Sequence, residues 1–492
     1  MQRVSFGFTV PAYNPDPPFH PDTAYPELPS PTTSTRPNWP YGLLRQLLGS
    51  LEMDREHLGT AQWNPLGGLV KPGDTVLLKP NFVLSANDRG HDVFAMITHP
   101  SILRALVDYT YVALRGEGRI VIADVPQMDC DWDELMRAQR LDAIQEYYQS
   151  RFGFPIEVYD CRTFALIDRH QMALTSNRKS LPGDPAGDVV IDLGRRSHFY
   201  GLPNENYYGA DYNREETIAH HRGETHEYCV SKTMLQADVF LSVPKMKTHK
   251  KVGVTLNLKG LVGMNTNKNY LIHYRLGTPS QGGDQLPDMR VGADRMLVKL
   301  QRLAWDNLLA RRSAGADALY QAARRVYRGT LKPFVKFSEE TALFDAGNWH
   351  GNDSAWRMTA DLAKVLFFAD AEGKLHETPQ RRVFCVVDGI VAGERCGPLE
   401  PDARRTGCLV AGANPFAVDL VTTRLMGFDP RRLHQFDVAF DPNWRFGLSS
   451  YADVEVRAGE RTVLGDTFFA PDARDPYLGF VPHPGWTGQI EI

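Results

Sequence analysis

Three segments decide the predicted fold: TVLL at 75–78, PSILRALVDYTYVAL at 100–114 and RIVIA at 119–123. The two outer segments are short and rich in aliphatic and β-branched residues, which is typical of buried strands. The middle segment has the length and apolar spacing of a helix, and Pro100 stands in the first turn, where proline is tolerated. A strand, a helix and a strand in this order predict two parallel strands joined by a crossover helix.

The same alternation returns later in the chain. Further strands are predicted at Val239–Val243, Val383–Val387 and Cys408–Ala411, and Asn414-Pro415 begins a helix that runs to about Met426. We therefore predict an α/β fold. Its mostly parallel sheet has crossover helices in Rossmann-like lobes, and it carries a helical insertion and a small β-rich C-terminal appendage.

Changes in composition along the chain set the predicted domain boundaries. Ten of the 33 prolines lie in the first 40 residues, where fixed φ angles and missing N–H donors disfavour regular structure. We expect an extended arm there, packed over the body or a partner. Residues 165–230 are polar with little periodicity and are predicted to form surface loops. Leucine and methionine residues from 296 to 309 recur at helical spacing between arginines and lysines, which indicates a helical insertion.

The predicted domains are a Pro-rich arm at 1–60, a discontinuous α/β core at 61–290 and 376–430, a mainly helical insertion at 291–375, and a C-terminal appendage at 431–492. A homo-oligomer through the arm or the insertion is consistent with this organisation.

Composition disfavours several classes of protein. The 55 Lys and Arg residues against 59 Asp and Glu give a net charge of −4, without the basic excess of a nucleic-acid binder. Six cysteines without a CxxC pair indicate reduced thiols and not a disulfide framework or zinc ribbon. No signal peptide or apolar run of about 18 residues is found, so we expect a cytoplasmic protein without a transmembrane segment. The Walker and GxGxxG motifs of ATP and NAD sites are absent as well.

Polar groups follow several of the predicted strands. Lys79-Pro80-Asn81, Asp124, Lys245 and Asp388-Gly389 all stand at such positions. Ligands of open α/β sheets bind beyond the carboxyl ends of the strands, so we expect these groups to converge there. The predicted substrate-binding residues are Lys79, Asn81, Thr98, His99, Lys245, Lys247, Thr255, Asn257, Asn414 and Asp419.

The segment KMKTHKKVGVTLNLKGLVG at 245–263 is the densest in chemical groups, with five lysines and one histidine. Ammonium groups neutralise an anion and glycines let backbone amides approach it, so a carboxylate or phosphate ligand is indicated. His249 is the candidate acid/base, because a histidine exchanges protons near neutrality. Lys259 stands among leucines, where desolvation lowers the pKa of a lysine and can make it a nucleophile. Asp388 is predicted to orient a base or hold a metal. A solvated basic edge is the alternative interpretation.

Several motifs in one order resemble a known family. They are LLKPN at 77–81, THPSI at 98–102, the lysine segment at 245–263, DGI at 388–390, GP at 397–398 and AGANPFAVD at 411–419. Together they are similar to domain-of-unknown-function family 362, and GNWHGNDSAWRMTADL at 347–362 looks like one branch of it. The resemblance implies an α/β fold and a shared site, whereas activity in the family is mostly unassigned. Some members carry ferredoxin-type cysteine runs. This chain has none, so no iron–sulfur cluster is expected.

A more remote resemblance is to nickel-pincer lactate racemases, which have a histidine, a lysine ten residues later and a second histidine. His249, Lys259 and His273 stand in a similar order here. The resemblance implies that His249 is an acid/base or metal ligand, Lys259 an anchor for a cofactor or substrate, and His273 a ligand of a divalent metal. The glycine-rich signature of the racemases is absent.

Three functional hypotheses follow. The first is an enzyme that isomerises, eliminates or hydrolyses a small anionic metabolite, with His249 as acid/base and Lys247 and Lys259 stabilising negative charge. The second is a non-catalytic module that binds a polyanion or partner through the lysine segment and the basic insertion. The third is a metal-dependent isomerase or redox protein.

Overall fold

The structure is a computed structural model that describes residues 1–168, 177–203, 206–211, 213–288, 314–326, 343–473 and 477–492. Its strands are β1 (Gln2–Phe8), β2 (Thr75–Pro80), β3 (Arg119–Asp124), β4 (Ile156–Asp160), β5 (Phe164–Leu166), β6 (Arg178–Ser180), β7 (Asp188–Asp192), β8 (Tyr207–Gly209), β9 (His221–Arg222), β10 (Thr225–Ser231), β11 (Val239–Val243), β12 (Lys245–His249), β13 (Gly253–Val254), β14 (Ile272–Arg275), β15 (Arg382–Glu394), β16 (Asp402–Gly412), β17 (Val454–Ala458) and β18 (Arg461–Leu464).

The α-helices of the described residues are α1 (Trp39–Ser50), α2 (Pro100–Leu114), α3 (Trp132–Gln139), α4 (Leu141–Phe152), α5 (Arg214–Ala219), α6 (Lys232–Leu235), α7 (Leu256–Gly260), α8 (Ala314–Val326), α9 (Ala355–Phe368), α10 (Pro415–Met426) and α11 (Gly465–Phe468). No helix of these residues has the length and apolar character needed to cross a membrane.

One large sheet organises the fold. Its strands run in the order β18-β17-β1-β16-β15-β11-β2-β3-β4, and β12 and β13 extend it beside β15. The strands from β15 through β11, β2 and β3 to β4 are parallel neighbours, whereas β16 is antiparallel to both β15 and β1. The predicted α/β class with a mostly parallel sheet is therefore confirmed.

Apolar clusters cover both faces of this sheet. Along β2, Leu77 belongs to the cluster that contains α9 and α10, and Val76 and Leu78 belong to the cluster that contains α1 and α2. Successive side chains of a strand point to opposite faces, so a strand covered on both sides is apolar throughout. This explains why TVLL reads as a continuous apolar run.

Two expectations about local structure are wrong. Gln2–Phe8 is a strand, paired with both β16 and β17. All ten early prolines lie at or after Pro11, so the first residues keep the N–H donors that a strand needs. Residues 165–230 also contain more than surface loops, because β10 lies between β7 and β9 and its last four residues are buried. The short length of these strands hides their periodicity.

Parts of the predicted insertion lie outside the described residues, including the apolar positions 296–309. Within the insertion, α8 and α9 are described. At the C terminus, β17 and β18 continue the main sheet through the parallel pair of β1 and β17. The domain boundaries drawn from composition stay predictions.

Candidate active site

The lysine segment continues the line of a central strand. The first part of β15 pairs with β11 as far as Ser242 and Cys385, and its second part pairs with β12, where Lys245 faces Asp388. Pro244 separates the two short strands, because it has no N–H to donate to the ladder. The segment therefore runs beyond the end of β11, at the edge of the sheet where β2 and β3 also end.

A cleft of about 120 Å³ opens at this edge. Asn81 follows β2, Asp124 ends β3 and Gln127 follows it. The other polar lining residues lie on β12, α7 and β14 and in the loops that follow β12, precede α7 and precede β14. The cationic and imidazole side chains that line it are Lys247, Lys250, Lys251, Lys259, Lys268, His249 and His273. The volume is below the roughly 300–1,000 Å³ of drug-sized sites, so it favours a small ligand.

Negative charge in the cleft does not balance the lysines. Asp124 is the carboxylate among its described lining residues. It is paired with Lys79 at 2.8 Å and accepts hydrogen bonds from the backbone N–H groups of Phe82 and Val125. Lys247 donates to the carbonyl oxygens of Met96 and Pro398 instead of a carboxylate. Glu400 acts on Lys250 and Asp284 on Lys251 from outside the cleft lining, so the lining itself has five lysines and one carboxylate among the described residues.

The pKa values of these lysines are lowered mainly by burial. Burial lowers the pKa of Lys259 to about 7 and that of Lys268 to about 7. Burial and then the charge of Lys245 hold the pKa of Lys247 well below its usual range. A buried ammonium is costly unless an anion pairs with it, so each of these groups would gain from a bound anion.

The two histidines of the cleft are held in different tautomers. His249 Nδ1 accepts a hydrogen bond from the Lys251 backbone N–H at 3.0 Å, which leaves the proton of the neutral ring on Nε2. His273 Nδ1 lies 3.0 Å from the Leu271 carbonyl oxygen and donates to it, which leaves a lone pair on Nε2. Burial and then the charge of Lys259 hold both pKa values well below the usual range of histidine. Both rings are therefore neutral near pH 7, one a donor and the other an acceptor.

Asp419 anchors the helix that carries Lys259. Its buried carboxylate accepts hydrogen bonds from the backbone N–H groups of Asn257 and Leu258 and from the Asn257 side chain. Leu256, which begins α7, has a φ of +47°, a left-handed conformation that is strained for leucine. The carboxylate of α10 thus fixes a tight turn between β13 and α7. Asn257 and Asp419 position the helix and do not line the cleft.

Glycines of the segment have packing roles. A Cβ on Gly263 would lie 2.3 Å from Asp124 Oδ1 and 2.6 Å from Lys79 Nζ. Gly253 has a φ of +82°, and a Cβ there would lie 2.4 Å from Leu433 Cδ2. The missing side chain at Gly263 therefore makes room for the buried ion pair, and Gly253 permits the tight β12–β13 connection.

A second polar cluster contains Asp388. Its carboxylate lies 2.9 Å from Lys245 Nζ, and it accepts hydrogen bonds from the Tyr13 hydroxyl at 2.7 Å and from the His99 backbone N–H at 3.0 Å. The Tyr13 hydroxyl also accepts from Lys245 Nζ, and its ring stacks on His99 at 3.8 Å. Asp388, Lys245 and His99 are thus engaged with one another and with the arm, and they are not among the cleft lining.

The remaining predicted residues make local contacts. Thr98 donates to the Val243 carbonyl and accepts from the Asn81 backbone N–H. Asn414 caps α10 by accepting from the backbone N–H groups of Phe416 and Ala417. Thr255 Oγ1 and Asn81 Oδ1 are buried in the cleft wall without a partner among the described groups. Of the predicted site residues, the cleft brings together Asn81, Lys247, His249, Thr255, Lys259 and His273.

Sequence reasoning missed two participants. Lys268 lines the cleft from the loop after α7, where its amine donates to the Val125 and Val262 carbonyl oxygens. Tyr13 reaches the Asp388 cluster from the arm, across more than 370 positions of sequence. Lys268 follows the lysine segment by five residues, so a slightly longer segment would have included it among the predicted residues. No local signal pointed to Tyr13.

The cleft contains the two histidines predicted to bind a metal, but no further group of ligands around them among the described residues. His249 and His273 both line it, but the described residues contain no group of three or more His, Cys, Asp or Glu side chains placed to hold a metal ion. The assignment of these two histidines to a metal stays a prediction.

Comparison with known proteins agrees with the motif order. The family model described as Domain of unknown function (DUF362) matches residues 180–424. The chain belongs to this family. The match includes β12, α7, β15 and α10, and thus Lys247, His249, Lys259, His273 and Asp419. No curated protein matches the chain significantly. The resemblance to nickel-pincer racemases stays a prediction.

Proposed function

We propose that this DUF362 protein is an enzyme that binds a small anionic metabolite, a carboxylate or a phosphate, in the cleft and moves a proton on it. The observation that carries the proposal is the excess of buried lysines over carboxylates around a cleft that also holds two neutral histidines. An anion there would replace the charge partner that Lys247, Lys259 and Lys268 lack.

The arrangement suits proton transfer next to a carboxylate. Removing a proton from the carbon beside a carboxylate builds negative charge on its oxygens, and positioned ammonium groups stabilise that charge. His273 Nε2 carries the lone pair of a base, and the neutral His249 ring can donate a hydrogen bond from Nε2–H to the oxygen on which negative charge develops. Isomerisation and elimination both begin with such a step, and hydrolysis needs the same proton transfer to and from water.

Burial also argues against a surface that binds polyanions. Lys245 and Lys247 are 0% exposed and Lys259 is 6% exposed, so these lysines do not form a solvated basic edge. A long polyanion follows an open, charged groove, whereas a cleft of about 120 Å³ admits a small molecule.

Ligand binding is tested by thermal unfolding with a panel of small carboxylic acids, their amides and inorganic phosphate. The anions should raise the Tm and the amides should not, because a ligand that binds only the native state stabilises it. Lys259→Met should reduce the rise, and Lys374→Met, at an exposed position, should leave it unchanged. Equal shifts for acids and amides would contradict an anion site.

Chemistry is tested by NMR in D₂O on the acids that bind. We expect deuterium to enter the carbon next to the carboxylate, and His249→Ala to slow the exchange by about 10²–10³-fold, the usual effect of losing one hydrogen-bond donor to a developing oxyanion. A folded His249→Ala protein with the exchange rate of the parent would refute the role of His249.

A further inference from the structure

The amine of Lys259 is buried in the cleft without a partner among the described residues. It lies in the cleft with 6% of the residue exposed, and no described group forms a hydrogen bond to its Nζ. Three neighbouring amines are engaged: Lys268 with two carbonyl oxygens, Lys251 with the Ala346 carbonyl, and Lys247 with two others. Lys250 Nζ has no hydrogen bond among the described residues, but the charge of Glu400 opposes the effect of burial on the pKa of Lys250. Each of those three amines donates to at least one carbonyl oxygen, whereas the Lys259 amine lines the cleft without such a partner.

An unpartnered amine in such a place is chemically reactive. With its pKa lowered by burial to about 7, about half of Lys259 is neutral at pH 7. An ordinary lysine with a pKa near 10.4 is neutral in only about one molecule in 2,500 at that pH. The neutral form carries the lone pair that attacks carbonyl carbon. Thr255 Oγ1, also without a partner, lines the same cleft and offers a hydrogen bond to a bound oxygen.

We propose that Lys259 forms an imine with the carbonyl group of a small oxo acid, whose carboxylate the neighbouring lysines bind. The inference rests on the proposed function, because the same cleft must first accept a small anion. It narrows the substrate class from anionic metabolites to carboxylic acids that carry an aldehyde or ketone group.

The chemistry balances without an oxidant or reductant. Lys259 Nζ attacks the carbonyl carbon, a C–N bond forms, and the oxygen takes a proton to give a carbinolamine. The C–O bond then breaks, the oxygen leaves as water, and the nitrogen lone pair forms the C=N bond. Overall, one amine, one carbonyl group and one proton give a protonated imine and one water. The one proton comes from solvent, and the neutral His249 ring can donate a hydrogen bond from Nε2–H to the departing oxygen.

The imine would also serve the proposed proton transfer. A protonated C=N bond withdraws electrons from the adjacent carbon and makes a proton there more acidic. His273 Nε2 carries the lone pair that can accept it. One lysine thus activates the substrate, the remaining lysines hold its carboxylate, His273 accepts the proton, and His249 donates a hydrogen bond.

The test traps the imine on the full chain. The protein is incubated with glyoxylate, pyruvate or 2-oxobutyrate, reduced with sodium cyanoborohydride, and analysed by intact mass and by tandem mass spectrometry of its peptides. We expect a single reduced adduct located on Lys259. Because the position of the adduct is mapped on the protein without substitutions, this result does not depend on whether a variant folds. Lys259→Arg should abolish the adduct, and Lys374→Arg, at an exposed position outside the cleft, should retain it.

A parallel measurement separates the two proposals. Lactate, which has no carbonyl besides its carboxylate, is compared with pyruvate for its effect on the Tm. If both raise the Tm and no adduct is trapped, or if the adduct lies on other lysines, the imine is refuted and the anion site stands. If none of the acids raises the Tm or forms an adduct, both proposals are contradicted.

Discussion

The buried Asp388 carboxylate allows a sharp test of its role, through the substitution Asp388→Asn. Its oxygen lies 2.9 Å from Lys245 Nζ, and both side chains are 0% exposed. It also accepts hydrogen bonds from the Tyr13 hydroxyl and the His99 backbone N–H. Asparagine keeps the shape but removes the charge and turns an N–H₂ group toward at least one donor. Burial lowers the pKa of Lys245 and Asp388 opposes this effect, so the variant leaves an amine without its compensating charge.

Breaking a buried ion pair from one side typically costs about 3–5 kcal/mol, because the remaining charge stays buried and unpaired. A typical protein is stable by about 5–15 kcal/mol, so this loss should lower the urea midpoint strongly. Glu224→Gln is the matched control, since it removes an ion pair with Arg195 whose side chains are 62% and 68% exposed. Its midpoint should hardly move. If Asp388→Asn shifts the midpoint no more than this control, the structural role assigned to Asp388 is refuted.

Three more outcomes are expected. Gly263→Ala should lower the free energy of unfolding, measured in urea, by about 1–3 kcal/mol, because the added Cβ would overlap a buried ion pair. Gly68→Ala, with open space around its Cβ, should change that free energy by no more than about 0.5 kcal/mol. Binding of lactate, which cannot form the imine, should transfer about one proton in total near pH 7 from the buffer to the half-neutral amines of Lys259 and Lys268, because a bound anion raises both pKa values. The proton uptake should vanish well below pH 6, and the affinity for the anion should fall as the pH rises above 7. Calorimetry in buffers of different ionisation enthalpy measures the affinity and the proton uptake. An absence of proton uptake at pH 7 would contradict the site. Asp419→Asn should reduce the trapped Lys259 adduct more than it lowers the Tm rise caused by lactate, and Asp419→Glu should restore part of it, since this carboxylate positions α7.

The strands and helices of the core could be predicted because their patterns are local. TVLL, RIVIA and the helix at 100–114 carry the apolar spacing that burial on a two-faced sheet requires, and the structure confirms all three. The short strands between 164 and 231 could not be predicted, because two to seven residues give too little periodicity to distinguish from a loop. The strand at Gln2–Phe8 was obscured by the prolines that follow it.

For the candidate site, the sequence indicated the lysine segment and its affinity for anions, since charge and residue type are local properties. It could not separate residues that line the cleft from those that support it. Lys245 and Lys247 are two positions apart on one strand, yet one is paired with Asp388 and the other faces the cleft. Asp419 and Asp388 were both candidates for chemistry, and each is engaged by N–H or O–H donors from distant segments.

The sequence by itself determined an α/β fold and a local excess of lysine within a chain of net charge −4. Only the tertiary structure decided which of those lysines lack a charge partner. Pairing depends on carboxylates brought from β3 and β15, and burial depends on the helices that cover the sheet. Both change the pKa of a lysine by desolvation and by the field of its neighbours, and neither is encoded in the residues next to it. Lys259 therefore owes its proposed reactivity to residues far from it in the chain.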